Sequence, residues 1–353
     1  MNIIYDNIIF SLQNAGGISN YWYQLSKRLL KSCHTVTFIE RKKSKNIYRS
    51  EIYAINNIIL RGIFFPLLID RFLNVRTSYN CKFIFHSSYN RITKNINAIQ
   101  VLTVHDLIHE KFYTGFRRYL HIYQKKKAIK NASHIIAVSE NTKNDLLSFY
   151  PKIKEENISV IYNGVSEQFT CIQSNHENYF LYIGSREKYK NFKSIVQLLT
   201  TFNDYKLVIV GSKLSKEETR HLNIFLNKRW ILHTGLSNVE LNILYNKAFA
   251  LLYPSSYEGF GIPLLEAMRA GCPFIALKNS SIPEVAGDAG ILLDKLTIDS
   301  LSTAFANIKA NREAIKNRGF IQSKKFSWDK TYIETVSLYE KLLNEDINNY
   351  CCL

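Results

Sequence analysis

The chain has 353 residues, 46% of them hydrophobic, and at about 150 residues per domain this supplies two hydrophobic cores. The composition excludes wholesale disorder, and 14 Gly and 6 Pro exclude collagen-like and low-complexity sequence. Residues 1–165 hold 24 Lys and Arg against 10 Asp and Glu, so they carry +14 of the net charge of +17. Such a basic half favours an anionic partner: a membrane surface, a nucleic acid or a phosphorylated substrate. The alternative is a solvated surface that only keeps the protein soluble.

The cysteines and the apolar segments indicate a cytoplasmic protein that is soluble or peripheral to a membrane. No cysteine belongs to a C-x-x-C pair or to a Cys/His cluster with zinc spacing, so we expect free thiols. The N-terminal MNIIYDNIIF lacks the basic start of a signal peptide, and Asp6 interrupts its apolar run. The most apolar stretch, residues 58–69, is shorter than the ~20 residues that span a bilayer and contains Arg61 and Pro66.

Short apolar runs alternate with helical patterns along residues 1–165, which we interpret as the first domain. The runs are apolar on both faces, as in buried parallel strands: Thr35–Glu40, Cys81–His86, Ile99–His105, His134–Ser139 and Ile158–Asn163. Helical periodicity follows at Ile18–Ser32 and Phe116–Ala132. This βαβ alternation predicts a doubly wound α/β domain.

A polar, aperiodic segment at residues 166–178 is interpreted as a linker, and a second α/β domain follows at residues 179–330. Its predicted strands are Tyr179–Ser185, Tyr205–Ser212, Arg229–Gly235, Ala248–Ser255 and Cys272–Lys278, and its predicted helices are Val239–Ala248 and Ile262–Gly271. The remaining residues, 331–353, form an amphipathic helix and a tail, and the sequence leaves open which domain the helix covers. Two such domains would face each other across a cleft, and ligands bind beyond the carboxyl ends of parallel strands.

The segment YEGFGIPLLEAMRAG, Tyr257–Gly271, combines two carboxylates with a glycine-containing turn. Glu258 follows a predicted strand, and Pro263 suits the first turn of a helix, whose N-terminus attracts anions. Glu266 comes eight residues after Glu258, about one turn into that helix. Paired carboxylates of this kind suit the hydroxyls of a diol. The alternative is one solvated glutamate and one that only interacts with the helix dipole.

A basic loop follows the strand that begins the second domain. In YIGSREKYKNFKSI, Tyr182–Ile195, the strand ends at Gly184, and Arg186, Lys188 and Lys190 precede a helix. Phosphates favour this arrangement, because Arg offers a planar fork and Lys a point charge. The alternative is an ordinary basic loop between a strand and a helix.

Two weaker patterns lie in the first domain. In QNAGGISNYW, Gly16 and Gly17 precede a helix, and their amides could face a phosphate. In TVHDLIHEKF, His105 and Asp106 end a strand, and the histidine could titrate near neutral pH or hydrogen-bond a sugar hydroxyl. A lone histidine is more often structural. No D-x-D triplet occurs, which fits neutralisation of a diphosphate by Arg186, Lys190 and helix amides instead of by a metal ion.

Taken in order, these blocks resemble the retaining GT-B glycosyltransferases of the bacterial "glycosyl transferases group 1" class (family four). The likeness is strongest to mannosyltransferase-like enzymes of surface-polysaccharide assembly and covers nearly the whole chain. Its landmarks are Gly16–Trp22, Thr103–Leu107, Ile135–Leu146, Val160–Val165, Tyr182–Phe192 and the E-x7-E segment Glu258–Pro273. The resemblance implies two Rossmann-like domains, the first on the acceptor side and the second binding the nucleotide sugar.

The resemblance also implies roles for individual residues. Four are expected to be catalytic: Arg186 and Lys190 on the donor diphosphate, Glu258 on the hydroxyls of the donor sugar, and His105 near the reacting sugar and acceptor. A second set is expected to bind the donor: Gly16, Gly17, Ser139, Gly235, Phe260, Gly261, Ile262 and Glu266. Within this set Glu266 would bind the ribose, and Gly235 lies in HTGLS, where the family holds the base.

The implied function is transfer of a hexose, with retention, to a saccharide or an undecaprenyl-diphosphate-linked acceptor in polysaccharide or O-antigen (lipopolysaccharide) biosynthesis. Mannose from GDP-mannose is the first candidate, and a UDP-hexose or another nucleotide hexose is the second. We expect no cofactor and no metal ion. One alternative is a GT-B protein that binds a sugar nucleotide without catalysis, although the intact site argues against it, with Glu258, Glu266, Arg186 and Lys190 all present. A nucleic-acid-binding protein or an NAD-dependent dehydrogenase fits less well, because no nucleic-acid motif and no G-x-G-x-x-G occurs.

The helical stretch Phe116–Lys130 is both basic and aromatic, with six Lys and Arg beside Phe116, Tyr119 and Tyr123. This combination suits an anionic membrane surface, so we expect peripheral binding to the inner face of the cytoplasmic membrane. A helix with one solvated face is the alternative.

Overall fold

The computed structural model describes residues 1–41, 44–52, 58–61, 65–173 and 175–351. The chain divides into two compact units, Met1–Asn163 with Trp328–Leu353, and Gly164–Ser327. We call them the first and the second domain. Each is built on one parallel sheet covered by helices, so the predicted α/β class with two Rossmann-like domains is confirmed.

The first domain contains, within the described residues, a seven-stranded parallel sheet in the order β3-β2-β1-β4-β5-β6-β7. The strands are β1 Asn2–Asp6, β2 Thr35–Arg41, β3 Ile58–Arg61, β4 Phe83–Ser87, β5 Ala98–Val104, β6 His134–Ala137 and β7 Ile158–Val160. The five predicted strands are all present, with ends shifted by up to three residues. β4 is buried along its whole length, as expected of a central parallel strand. The edge strand β3 lies in the stretch whose apolar character we had considered only as a membrane-span candidate.

Within the described residues, seven helices of the first domain connect these strands. They are α1 Ile9–Leu12, α2 Gly17–Leu29, α3 Ile47–Glu51, α4 Leu67–Asp70, α5 Ile108–Phe112, α6 Phe116–Asn131 and α7 Glu140–Phe149. α2 buries Tyr21, Trp22 and Leu25 on one face, at the spacing that an amphipathic helix requires.

The second domain has, in its described part, a six-stranded parallel sheet in the order β10-β9-β8-β11-β12-β13. Its elements are β8 Tyr179–Ile183, α8 Phe192–Leu198, β9 Lys206–Val210, α9 Lys216–Leu226, β10 Trp230–His233, α10 Asn238–Lys247, β11 Ala250–Tyr253, α11 Ile262–Ala270, β12 Phe274–Leu277, α12 Ile282–Ala286, β13 Ile291–Leu293 and α13 Ile298–Ser323. The five predicted strands and both predicted helices are present. The sequence patterns did not identify β13, α9, α12 or the 26-residue α13.

The segment that we interpret as a linker, residues 166–178, belongs to the second domain, where Thr170 and Ile172 are bonded to α10. Asn242 Oδ1 accepts the Thr170 amide at 3.1 Å, and Asn246 Oδ1 accepts the Ile172 amide at 2.7 Å. Both asparagines are buried and therefore need such partners. The Thr170 and Ile172 amides thus bond to asparagine side chains and not to the carbonyls of a helix or a sheet, which fits the absence of helical or strand periodicity in this sequence.

The last helix, α14 Trp328–Cys351, belongs to the first domain. Asp329 pairs with Arg28 of α2 at 2.6 Å, and the Thr331 hydroxyl donates to the Tyr162 carbonyl at 2.7 Å. Deeper inside, the Tyr339 hydroxyl lies 2.8 Å from the Tyr5 hydroxyl and 2.5 Å from His86 Nδ1. The C-terminal helix thus covers the first domain, which its amphipathic pattern alone does not decide. None of the described helices is both long and apolar enough to cross a bilayer.

Tyr339→Phe tests the docking of α14. The change leaves the Tyr5 hydroxyl and His86 Nδ1, both buried, without their shared partner, so we expect a loss of about 1–3 kcal/mol in the free energy of unfolding. The exposed Tyr123→Phe is the matched control and should change little. Chemical denaturation of both variants measures the difference, and equal stabilities would contradict the assigned contacts.

Candidate active site

The predicted site residues of the second domain gather where its strand order reverses. β8 lies in the sheet between β9 and β11, so the loops after β8 and β11 leave neighbouring strands at a topological switch point. Ligands of open α/β sheets bind at such points, beyond the carboxyl ends of the strands. The basic loop follows β8 and the Glu258 turn follows β11.

Lys190 and Glu258 meet directly at this switch point. Lys190 Nζ lies 2.5 Å from Glu258 Oε1, and the two side chains are only 15% and 10% exposed. The Lys190 ammonium also lies over the rings of Tyr189 and Tyr253, at 5.4 and 5.7 Å from their centroids. Lys188, by contrast, is exposed. Of the two lysines in the loop, only Lys190 therefore contacts the Glu258 turn.

Asn191 joins the two loops and explains why Lys190 reaches Glu258. It adopts the left-handed conformation at φ 52°, which asparagine tolerates better than most residues. Its Nδ2 donates to the Pro254 carbonyl at 2.8 Å and to the Ser256 hydroxyl at 2.7 Å. The Ser256 amide in turn donates to the Tyr189 carbonyl at 2.8 Å. Sequence reasoning missed Asn191, although an asparagine between a short turn and a helix is a recognisable signal.

Two serines that the sequence analysis did not single out hold the Glu258 turn from the other side. The Glu258 amide donates to Ser280 Oγ at 2.8 Å. The fully buried Ser281 hydroxyl is within 2.9 Å of the carbonyls of both Glu258 and Phe260. Backbone groups of the turn are thus bonded within the protein, and the Glu258 carboxylate is held at a fixed place.

Arg186 is held in a separate set of contacts. Its Nε donates to Glu218 Oε1 at 2.6 Å, and its Nη2 donates to the Ser212 hydroxyl and the Lys213 carbonyl at 3.3 and 3.0 Å. Tyr182 lies within the electrostatic influence of both groups, and its hydroxyl donates to the Ser185 carbonyl at 2.7 Å. Burial raises the pKa of Tyr182, and the Glu258 carboxylate adds to the rise while Arg186 opposes it.

Glu266 lies on α11 and accepts a hydrogen bond from the Tyr245 hydroxyl at 2.8 Å. Burial raises the pKa of Glu266 to about 7, and the Tyr245 bond only partly opposes the rise. The two glutamates of the E-x7-E segment therefore differ: Glu258 has a cationic partner, and Glu266 is close to half protonated at neutral pH. Tyr245 was not predicted, because its position on α10 is distant in sequence.

The start of α11 has the geometry that the sequence predicted. Gly261 caps the helix at φ 109°, a left-handed conformation that favours glycine, and Pro263 lies in the first turn. Phe260 is buried against Phe326, with ring centroids 5.8 Å apart, and Ile262 is partly exposed. Gly235 forms an exposed turn after β10 at φ 68°.

The predicted residues of the first domain lie at its own strand ends. Gly16 and the exposed Gly17 start α2, as predicted. His105 follows β5 with its ring edge-on to Tyr21 at 4.9 Å, and burial lowers its pKa to about 4. Burial therefore favours the neutral imidazole, which suits the second of the two expected roles, a hydrogen bond to a sugar hydroxyl. Ser139 is fully buried and caps α7, where its Oγ accepts the Thr142 amide at 3.0 Å.

Within the described part of the chain, no three His, Cys, Asp or Glu side chains come together as a metal site would require. Lys190 and Arg186 each place a cationic group in the loop after β8.

Comparison with known proteins finds similarity to glycosyltransferases along both domains. Residues 15–169 match the family described as Glycosyltransferase Family 4, and residues 168–325 match the family described as Glycosyl transferases group 1. The fold of the chain is similar to that of HepE from Anabaena, solved in complex with UDP-glucose, with a TM-score of 0.72 and 14% identity over 97% of this chain and 100% of that one.

Two curated relatives are named as mannosyltransferases of O-antigen chains. The chain is 33% identical over 177 residues to O-antigen chain mannosyltransferase B of Escherichia coli, covering 47% of this chain and 46% of the relative. It is 32% identical over 222 residues to O-antigen chain mannosyltransferase RfbU of Salmonella typhimurium, covering 61% and 62%. The matches thus span less than two thirds of either relative.

Glu266→Gln tests the electrostatics of the E-x7-E segment. Since the pKa of Glu266 rises from 4.5 to about 7 on folding, the folded state binds the extra proton between these values. The wild type should therefore lose Tm, relative to the glutamine variant, as the pH rises from 4.5 through 7. Glutamine keeps an acceptor for Tyr245 but does not titrate. The exposed Glu313→Gln is the control, and parallel Tm profiles for wild type and Glu266→Gln would refute the shift.

Proposed function

We propose that the protein is a retaining glycosyltransferase that transfers a hexose from a nucleotide-sugar donor to a saccharide or a lipid-linked saccharide, in polysaccharide or O-antigen assembly. The observation that carries the proposal is the contact of Lys190 with Glu258 at the switch point of the second sheet. One cation suited to phosphate and one carboxylate suited to sugar hydroxyls are held side by side. Mannose from GDP-mannose is the first candidate donor, supported by the names of the two O-antigen relatives. A UDP-hexose is the second, supported by the UDP-glucose complex of HepE.

In the proposed reaction the donor diphosphate binds at the amino end of α11 and beside Lys190. An ammonium group has three N–H donors, so Lys190 can keep Glu258 and still bind phosphate oxygens. Glu258 accepts hydrogen bonds from the hydroxyls of the donor sugar, and Glu266 accepts them from the ribose. Lys190, Arg186 and the amino end of α11 supply the positive charge that a metal ion would otherwise provide to the diphosphate, so we propose that the reaction needs no metal.

Departure of the diphosphate is the step that the charges favour. As the bond between the anomeric carbon and the diphosphate oxygen breaks, negative charge grows on the leaving group and the sugar becomes oxocarbenium-like. A positioned cation stabilises that charge more than it stabilises the ground state. The acceptor hydroxyl then bonds the anomeric carbon on the same face and passes its proton to the oxygen of the departing diphosphate. We assign neutral His105 to hydrogen bonding on the acceptor side.

Lys190→Ala and Arg186→Ala should each lower turnover by roughly 10²–10³-fold, because each removes a preorganised donor to the leaving group. Lys188→Ala is the matched control, since it removes a cation from the same loop that is exposed and should leave turnover near that of the wild type. Release of nucleoside diphosphate from the donor, measured with and without EDTA, gives the rates. Near wild-type rates in both variants, or a complete loss with EDTA, would contradict the assignment.

A thermal-shift screen with GDP-mannose, UDP-glucose and UDP-GlcNAc identifies the donor, since a ligand that binds only the folded state raises Tm by mass action. Stabilisation by one donor without any release of nucleoside diphosphate would favour the alternative of a non-catalytic binding protein.

We also propose that the first domain binds the surface of an anionic membrane. Phe116, Tyr119 and Tyr123 point outward from α6, each at least 64% exposed, and Lys126 and Lys130 extend the same face. α6 is tied to the segment after α4 by a bond from Gln124 Nε2 to the Arg71 carbonyl. On α4, just before Arg71, Leu68 and Ile69 are exposed as well. Aromatic and aliphatic groups beside lysines suit the interface of an anionic bilayer.

Sedimentation with vesicles of phosphatidylglycerol and phosphatidylcholine at two salt concentrations tests the membrane proposal. We expect the protein to pellet at low salt and to be released at high salt, because exposed charges are screened. The double variant Phe116→Ser with Tyr119→Ser should pellet less, whereas the exposed Val239→Ser of the second domain should behave as wild type. No co-sedimentation at low salt would end the proposal.

A further inference from the structure

Glu218 lies in the first turn of α9 and is held from two sides. Its Oε1 accepts Arg186 Nε at 2.6 Å, and its Oε2 accepts the Ser215 amide at 2.7 Å. The Ser215 hydroxyl completes a capping box by accepting the Glu218 amide at 3.1 Å. The carboxylate that contacts Arg186 is therefore fixed by the backbone of α9. Burial of Glu218 opposes its ionisation, but the bonds from Arg186 and Ser215 prevail and lower its pKa.

The rest of the Arg186 guanidinium is also constrained, with one exception. Nη2 is bonded to Ser212 and Lys213, and the side chain is only 5% exposed. Nη1 is buried and has no acceptor among the described residues. A buried guanidinium nitrogen without an acceptor is costly, and an anionic ligand would satisfy it.

A glycine lies directly against Nη1. Gly211 follows β9, and a Cβ at this position would lie 3.2 Å from Arg186 Nη1 and 2.7 Å from the Gly184 carbonyl oxygen. The strand ends of β8 and β9 therefore approach too closely here for any side chain. Nη1 consequently lies against bare backbone at the carboxyl end of the sheet, where ligands of such sheets bind.

We propose that Glu218 is a positioning residue that holds the guanidinium of Arg186 so that Nη1 faces the diphosphate of the bound donor. The inference rests on the proposed glycosyltransferase function and deepens it. Glu218 offsets part of the Arg186 charge, so its contribution is orientation and not added positive charge. An arginine that is already fixed loses less conformational freedom when the diphosphate binds. It is also already in place when negative charge grows on the diphosphate in the transition state.

Glu218→Gln is the principal variant, because glutamine preserves size but loses the charge that pairs with Arg186. We expect kcat/KM for the donor that the thermal-shift screen identifies to fall by about 10- to 100-fold, since small misplacements of a catalytic group have effects of this order. Glu217→Gln is the matched control: Glu217 lies in the same turn and pairs with the exposed Lys193, at 2.5 Å. It should stay within about twofold of the wild type.

A double-mutant cycle separates positioning from a general loss of structure. In an Arg186→Gln background, Glu218→Gln should have no further effect on kcat/KM, because the group that it orients is gone. Calorimetric titration with GDP and GMP, or with UDP and UMP for a UDP donor, gives a second readout. Both Arg186→Gln and Glu218→Gln should reduce the preference for the diphosphate. Ser215→Ala should lower Tm through the loss of the cap but keep that preference, which a purely structural role of Glu218 would not predict.

The outcomes are distinct. Wild-type kinetics and an unchanged diphosphate preference in Glu218→Gln, with an active wild type, would overturn the positioning role alone. Equal losses from Glu218→Gln with and without Arg186 would also overturn it. A wild type that neither turns over nor binds any nucleotide sugar would overturn the proposed function and this role together. If Glu218→Gln does not fold, Glu218→Asp retains the charge and shortens the side chain, and the same cycle is measured with it.

Discussion

The ion pair of Lys190 and Glu258 is the contact around which the second domain arranges its candidate site. Two largely buried opposite charges stabilise a fold little, because desolvation offsets their attraction. Their position at the end of two adjacent central strands is better explained by what they can bind. Two polar side chains keep the pair together: Asn191 joins the two loops, and Ser280 holds the turn. Both bond to backbone groups, so they position the pair and need not contact a ligand.

Three glutamates of this domain have different electrostatic surroundings. Glu258 faces a lysine and Glu218 an arginine, whereas Glu266 has only a tyrosine hydroxyl and holds its proton up to about pH 7. A ribose hydroxyl could replace the Tyr245 hydroxyl as a hydrogen-bond donor without bringing a charge. Identical side chains thus acquire different capacities through burial and partners alone.

Much of the fold was predictable, because buried parallel strands appear as apolar runs that end in glycine or polar turns, as at Tyr179–Ser185. The short strands β3 and β13 escaped, since three or four apolar residues carry no periodicity. In the candidate site, residues that follow a strand and bear chemistry were identified, including Arg186, Lys190 and Glu258. Partners that act through hydrogen bonds across distant segments, such as Glu218 and Tyr245, could not be identified, because no spacing in the sequence relates them to the residues they hold. The position of His105 after a strand was also identified. The effect of burial, which lowers its pKa, could not be read from the sequence.

The most direct test of the account is a crystal structure of the protein with a nucleotide-sugar donor or its nucleoside diphosphate bound. The account predicts diphosphate oxygens within hydrogen-bond distance, about 2.7–3.2 Å, of both Lys190 Nζ and Arg186 Nη1, with the sugar hydroxyls on Glu258. A diphosphate bound away from both cations, with the pair of Lys190 and Glu258 left unaltered, would contradict it.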